Sequence, residues 1–402
     1  MFVVEPRGAI LQQKVAYLSD QRFPVRNATT EQLLNTISAL SAEGLDVRLV
    51  IPRQWRNLRR SNQRLKETLS EFYHIEDSFC ISQLLHLPFA PFKLDKVTHG
   101  LLAPLFASIV NCDIIYTRNL LPAMTAIRLQ KKVVLETFQL YGEHKPKTAK
   151  QTARLTHSPK LLNIITHSVP SRNSLLDAGA VEEKVTVIPN GFNPAALEPR
   201  LSKTEARRQL GWDEREKIAC YTGRIDVDKG VLSLLHLAQR TPEVTYVLIG
   251  YSEKKQDDWM VREALSKGVK NLKHLPWVTA PQLSKYLCAA DVLVIPPTLA
   301  PIAKYRRTVL PMKTFLYMAA GRCILAPASP DLETVLCEKN AVLVEPDNLD
   351  EAAALMRRVF ENQSWARALS EQAQLDSENY TWKNRARRII SLLEDRLKAL
   401  PR

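Results

Sequence analysis

The sequence predicts an α/β protein of two doubly wound parallel sheets facing each other across a cleft. Three observations predict it. The chain has 402 residues, too many for one hydrophobic core. Short β-branched runs alternate with segments of helical period in both halves. The alternation stops at one polar joint, "NGFNPAALEPRLSKTEARRQLGWDEREK", and then restarts.

The elements follow in order. "KVAYLSD" (14–20) is a strand that runs into a polar loop, "QRFPVRNATTE". "EQLLNTISALSAEG" (31–44) has apolar residues three and four apart and a stop at Gly44, so it is a helix. "LDVRLVIP" (45–52) is the next strand, and "PRQWRNLRRSNQRLKETL" (52–69) reads as a basic, amphipathic helix. Strands continue at "DIIYTR" (113–118), "KVVLE" (132–136), "LNIITHS" (162–168) and "KVTVIPN" (184–190). Past the joint, "KIACYTGR" (217–224) is a strand and "KGVLSLLHLAQRT" (229–241) a helix. "TYVLIG", "NLKHLP", "DVLVIPP", "CILAP" and "AVLVEP" extend the second sheet. In "PMKTFLYMAAGRCILAP" (311–327), Pro311 suits a first helical turn and Gly321 ends the helix before a buried strand. "TWKNRARRIISLLEDRLKAL" is a terminal amphipathic helix. Ligands of such sheets bind beyond the C-terminal strand ends.

Composition narrows the function. Hydrophobic residues make up 45% and charged ones 24%, an ordinary globular balance. No apolar run reaches the roughly 18 residues of a membrane span. The opening "MFVVEPRGAILQQ" lacks a basic start and a long apolar core, so no signal peptide is expected and the cytoplasm is the expected location. Cys80, Cys112, Cys220, Cys288, Cys323 and Cys337 are scattered without a C-x-x-C pair and read as reduced core thiols. The net charge is +14, about +8 before residue 196 and about +6 after it, which fits an anionic partner. Aromatic residues do not interleave with the basic ones, and no zinc-finger or helix-turn-helix pattern appears, so no nucleic acid is expected. His157 and His167 have no ligand spacing, and no metal is expected.

"YTGRIDVDKG" (221–230) is the most pointed segment. A strand ends at Gly223, and Arg224 and Lys229 flank the loop into the next helix. Two cations there suit a diphosphate whose charge grows as a bond breaks. The alternative is two solvated cations, or pairs with Asp226 and Asp228. The P-loop, G-x-G-x-x-G, G-x-S-x-G and H-E-x-x-H patterns are absent.

Four stretches of the second half, "YTGRIDVDKG", "LCAADVLVIPP", "PMKTFLYMAAGRCILA" and "YTWKNRARRI", resemble in order the donor domain of family 4 glycosyltransferases. In the first half "KVAYLSDQRFP", "CDIIYTRN" and "ITHSVPSRNSLLDAGAVEEKVTVIPNGFNP" are similar to the same family. The resemblance implies the GT-B fold, two Rossmann-like domains at 1–195 and 196–380, and a C-terminal helix, 381–402, that crosses back to the first. It implies a transferase that moves a sugar from a nucleotide sugar to a glycan or lipid-linked acceptor in surface polysaccharide assembly. Retention of configuration, no cofactor beyond the donor and peripheral contact with an anionic inner membrane surface go with that reading.

Residue by residue, the resemblance puts Arg224 and Lys229 on the donor diphosphate, with Gly223 beside them. It puts Asn190 and Gly191 next to the donor, Trp277 and Val278 near its base, and Thr308, Val309, Leu310 and Lys313 around sugar and phosphates. Phe23, Pro24, Arg26 and Asn27 replace the family's glycine-rich acceptor loop. The family's E-x7-E glutamates fall on Thr308 and Leu316, and Phe138 stands near the place of its acceptor-side histidine. These departures leave a second reading, a catalytically degenerate protein that binds a nucleotide or glycan and acts as a scaffold.

Overall fold

Apolar runs too short for helices become strands of two separate parallel sheets in the computed structural model, which describes residues 10, 13–25, 27–53, 61–76, 78–85, 92–141, 145–253, 258–305 and 310–400. Two units result, Met1–Asn190 with Trp382–Arg402, and Gly191–Thr381.

The first unit holds β1 (Lys14–Leu18), β2 (Asp46–Arg53), β3 (Cys80–Leu85), β4 (Ile114–Thr117), β5 (Lys132–Thr137), β6 (Leu161–Thr166) and β7 (Val185–Val187), in the order 3-2-1-4-5-6-7. Parallel strands covered on both faces need apolar residues at successive positions. β1 shows why: Val15 and Tyr17 enter one core, Ala16 and Leu18 the other. One face carries α1 (Ala28–Ala42), α2 (Asn62–Tyr73) and the last helix, α15 (Trp382–Lys398). The other carries α3 (Phe92–Ile109), α4 (Leu120–Arg128), α5 (Pro146–Leu155) and α6 (Val169–Leu176).

The second unit holds β8 (Ile218–Thr222), β9 (Thr245–Ile249), β10 (Leu272–Leu275), β11 (Val292–Val294), β12 (Cys323–Pro327) and β13 (Val342–Val344), in the order 10-9-8-11-12-13. Its connecting helices include α7 (Lys203–Leu210), α8 (Val231–Arg240), α9 (Trp259–Ser266), α10 (Ala280–Ala289), α11 (Ala300–Tyr305), α12 (Lys313–Ala319), α13 (Leu349–Glu361) and α14 (Gln363–Ser377). In each sheet the strand order reverses once, between β1 and β4 and between β8 and β11, where such folds bind ligands.

The structure departs from the sequence reading in five places. β3 was not expected, because Ser82 and Gln83 interrupt its apolar run. The basic stretch 52–69 is not one helix: Pro52 and Arg53 end β2, 54–60 lie outside the described residues, and α2 starts at Asn62 after its cap Ser61. The polar joint contains α7, capped by Ser202, stopped by left-handed Gly211, and pinned by Arg207 to Asp291 at 2.8 Å. α12 starts at Lys313, not at Pro311. Finally, Cys80 and Cys337 are exposed, while the other four cysteines are buried.

Two glycines meet where β8 and β9 end. Gly223 has φ +130° and Gly250 φ +151°, and a Cβ on Gly250 would lie 1.9 Å from the Gly223 carbonyl oxygen. Backbone cannot yield as a side-chain tip can. Gly250→Ala should therefore destabilise the second unit by about 2 kcal/mol or more. An unchanged urea midpoint would show that the two strand ends separate freely.

Candidate functional site

The loop after β8 is shaped by what its neighbours must bury. Ile225 is fully buried and its carbonyl accepts the Trp259 indole N–H at 2.8 Å. The chain then makes a 3-10 turn, Val227–Lys229, and leaves it at Gly230, with φ +77°. A Cβ there would meet Thr298 Cγ2 at 2.5 Å. Arg224 is left with 23% of its side chain in water. Its guanidinium contacts Glu253 and lies 3.7 Å from Asp226 and 3.8 Å from Asp228. Both aspartates are buried, and Asp226 also accepts from Ser252 Oγ at 2.6 Å. The pairs with Asp226 and Asp228 that the sequence left open are thus present, and Glu253 joins them.

Lys313 brings a third basic side chain to this loop. Its Nζ sits 3.7 Å from the centroid of the Tyr221 ring, and a Cβ on Gly223 would lie 2.8 Å from it. The Thr222 N–H donates to Tyr317 Oη at 2.8 Å, which ties α12 to the end of β8. Burial, and next the charge of Lys229, hold the Lys313 ammonium well below the usual lysine range. An incoming anion would relieve that cost.

The other donor-side candidates fall as follows. Leu310 is buried in the apolar cluster around Phe315, and Leu316 packs against the same cluster. Thr308 and Val309 lie outside the described residues, as do Arg306 and Arg307. Trp277 stands 52% exposed after β10, and Val278 leans on the core. Asn190 and Gly191 fall on either side of the unit boundary. Asn190 is buried, and its Oδ1 has no hydrogen-bond partner among the described residues. A concave surface of about 480 Å³ around Phe192, Arg200 and Glu371 shares no residue with the Arg224 loop.

On the first unit, Phe23 is buried in the core, Pro24 is exposed, and Arg26 lies outside the described residues. Asn27 caps α1, its side chain accepting from the Thr30 N–H at 2.8 Å. The residue that sequence reasoning missed is Glu136. It is fully buried at the end of β5, yet four groups reach it. Gln32, Tyr116 and His167 donate to its carboxylate at 2.6 Å each, and Arg385 of α15 donates at 3.1 Å. Arg385 also donates to the Pro189 carbonyl and to Thr36 Oγ1, at 3.0 Å each. Burial opposes the carboxylate's charge, but Arg385, the hydrogen bond from His167 and Arg118 outweigh it and keep Glu136 well below the usual range. His167 is pushed down to about 4, chiefly by burial, so a neutral imidazole is the donor. Arg118 lies 4.8 Å over the Phe138 ring, which stacks 6.0 Å from His167.

Comparison with known proteins adds to this. Residues 202–376, which contain the Arg224 loop, match the family model of glycosyl transferases group 1. The fold is that of the GT-B glycosyltransferases. An Anabaena protein, Alr3699/HepE, solved in complex with UDP, superposes with a TM-score of 0.74 at 18% identity, over 95% of this chain and 100% of that one. The sucrose-phosphate synthase of Thermosynechococcus elongatus does so at 0.70 and 19%, over 96% and 100%. The uncharacterized glycosyltransferase MJ1607 of Methanocaldococcus jannaschii is 28% identical over 220 residues, 52% of this chain. The chain spans about half, 54%, of the length of that relative. Among the described residues no group of three metal-ligating side chains is gathered, and no helix is long and apolar enough to cross a membrane.

Proposed function

We propose that the chain moves a sugar from a nucleoside diphosphate sugar to a glycan or lipid-linked acceptor, retaining the anomeric configuration and using no metal. The observation that carries this is the cluster of basic side chains at the C-terminal end of β8. Arg224, Lys229 and Lys313 gather there, around a loop that two left-handed glycines, Gly223 and Gly230, allow to turn, and a Cβ on Gly223 would press on Lys313 Nζ.

In this reading Arg224 and Lys229 bind the diphosphate and neutralise the charge that it gains as the sugar–phosphate bond breaks. Arg224 then exchanges Glu253 for phosphate oxygens, keeping its fork geometry. Lys313 and Leu310 are assigned to the phosphates and the sugar, and Thr308 and Val309, outside the described residues, join them by the resemblance alone. Trp277 and Val278 sit toward the base, and Asn190 and Gly191 toward the donor. The first unit takes the acceptor. Leu316, apolar where an acid would bind ribose hydroxyls, favours a second reading in which the donor site binds without turnover.

The test is calorimetric binding of UDP, GDP and their sugar conjugates, with Arg224→Ala/Lys229→Ala beside the native protein. The Anabaena neighbour, solved with UDP and with UDP-glucose, makes uridine donors the first to try. Binding that the double variant loses by 100-fold or so supports the donor site. Binding without hydrolysis or transfer supports the scaffold. A folded native protein that binds no nucleotide overturns the donor reading altogether.

A further inference from the structure

A groove on the second unit runs along α14, on residues that the donor reading does not use. Its inner end, about 200 Å³, lies where four segments meet: the turn at Leu197, Arg200 and Leu201, the last turn of α10 at Cys288, the turn from α12 to β12 at Gly321, and α14 at Gln374. Its outer end is the concave surface of about 480 Å³ beside Phe192. Arg200 and Gln374 line both ends, so the two form one space. Together they fall within the roughly 300–1,000 Å³ of small-molecule sites.

The inner end gathers donors that lack an anion. Seven arginines of the second unit, Arg207 and Arg224 among them, pair with a carboxylate. Among the described residues Arg200 and Arg322 have no such pair, and no acid lines the inner end. Arg322 turns its Nε and Nη2 to one acceptor, the Cys288 carbonyl, at 3.0 and 2.7 Å. Its Nη1 has only the Gly321 carbonyl, at 3.4 Å. Burial holds the Arg322 pKa below the ordinary arginine value, and an anion alongside would relieve that cost. The Gln374 amide lies against the Gly321 turn, where a Cβ would be 3.3 Å from its Oε1. Neither that amide nor the Arg200 guanidinium has a hydrogen-bond partner among the described residues. Two guanidiniums and an amide between the apolar walls of Leu197, Leu201 and Ala320 suit a phosphate, which takes forked donors from several sides.

The outer end has the opposite character. Glu371 and Glu378 line it, on the face of α14 that carries Gln374 and Leu375. Ionised carboxylates only accept hydrogen bonds, so the part of the ligand beside them must donate, as sugar hydroxyls do. Leu375, 61% exposed, and Pro194 offer apolar surface to the carbon face of such a ring. The same glutamates repel a second phosphate. Phe192, the one aromatic ring among the lining residues, is 7% exposed and gives a nucleotide base no face to stack on. The charge order along the groove therefore selects a ligand with one anionic end and one hydroxylated end.

We propose that this groove binds a phosphorylated sugar, with the phosphate between Arg200 and Arg322 and the hydroxyls on Glu371 and Glu378. The groove lies wholly within the second unit and shares no residue with the Arg224 loop, so it does not depend on the donor site.

The test is calorimetry of the full chain with a panel of hexose monophosphates, beside inorganic phosphate, glucose and glucuronate. The best hexose monophosphate should bind about 10-fold or more tighter than each of the other three. Arg200→Gln should weaken it by about 10- to 100-fold. Glu371→Ala should weaken it by about 10-fold and leave inorganic phosphate unchanged. Arg224→Ala/Lys229→Ala should leave it unchanged. Arg200 and Glu371 are exposed, so both variants keep the fold, which thermal unfolding checks. Four results overturn the proposal: a folded native chain that binds no hexose monophosphate, inorganic phosphate that binds as tightly as the best of them, glucuronate that binds more tightly, or binding that Arg200→Gln keeps and Arg224→Ala/Lys229→Ala loses. The last would put the ligand at the Arg224 loop.

Discussion

Glu136→Ala should cost the first unit about 3–5 kcal/mol, because it strands a buried guanidinium. Arg385 is 2% exposed, and its other acceptors, the Pro189 carbonyl and Thr36 Oγ1, are neutral. Gln32, Tyr116 and His167 would lose an acceptor in the same step. The pair is costly to break but need not be a net gain over an apolar pair of equal volume. Glu136→Met with Arg385→Met should therefore recover much of the loss in urea unfolding, and a double variant as damaged as the sum of the singles would contradict this account.

The same cluster fixes an acid response. The folded pKa of Glu136 is depressed, so its contribution is complete above the unfolded value near 4.5 and is lost as pH falls through the folded one. His167 is also depressed, from 6.5 to about 4. Between those values the unfolded chain takes up a proton that the folded chain refuses. Stability therefore falls as pH drops from 6.5 to 4, by an amount on the order of 3 kcal/mol. His167→Gln keeps a donor for Glu136 but does not titrate, so it should flatten stability against pH in that window. An equally steep curve in the variant would place the proton elsewhere.

Lys313→Met should weaken nucleotide diphosphate binding by about 10- to 100-fold while raising the stability of the free protein by about 1 kcal/mol. The two effects have one cause. In the free site burial and Lys229 disfavour the ammonium. A bound diphosphate favours it, so the complex holds more protons than the free protein, and affinity falls as pH rises. Calorimetry in two buffers of different ionisation enthalpy reads that uptake directly. The native protein should take up protons on binding, and the methionine variant should not. Equal uptake by both would remove Lys313 from the site.

The strands were legible because burial on both faces demands apolar runs, and those runs are local. "KVVLE" reads as a strand by this rule, and so does "LNIITHS", and the strands found are Lys132–Thr137 and Leu161–Thr166. What stayed illegible depends on residues far apart. Glu136 reads as a polar strand end until Arg385, 249 residues on, is placed against it. Lys313 is placed near the phosphates by the resemblance alone, and its burial against Gly223 and Tyr221, some 90 residues back, is what the sequence does not show. β3 was hidden because Ser82 and Gln83 break its run, and it sits at the sheet edge. α3 carries its charges in the first turn and is almost wholly apolar from Gly100 to Ala107, so periodicity could not say that its leucines face outward.

The Glu136–Arg385 pair also orders events during synthesis. The first unit is written in two pieces, and the second unit, about 190 residues, is spelled out between them. At ribosomal speeds those residues take on the order of 10–40 s to appear. Throughout that time Glu136, Gln32 and His167 exist without the guanidinium that completes them. Gly191–Thr381 has all its strands before Trp382 is made, so the unit that begins later in the chain is the first that is able to finish.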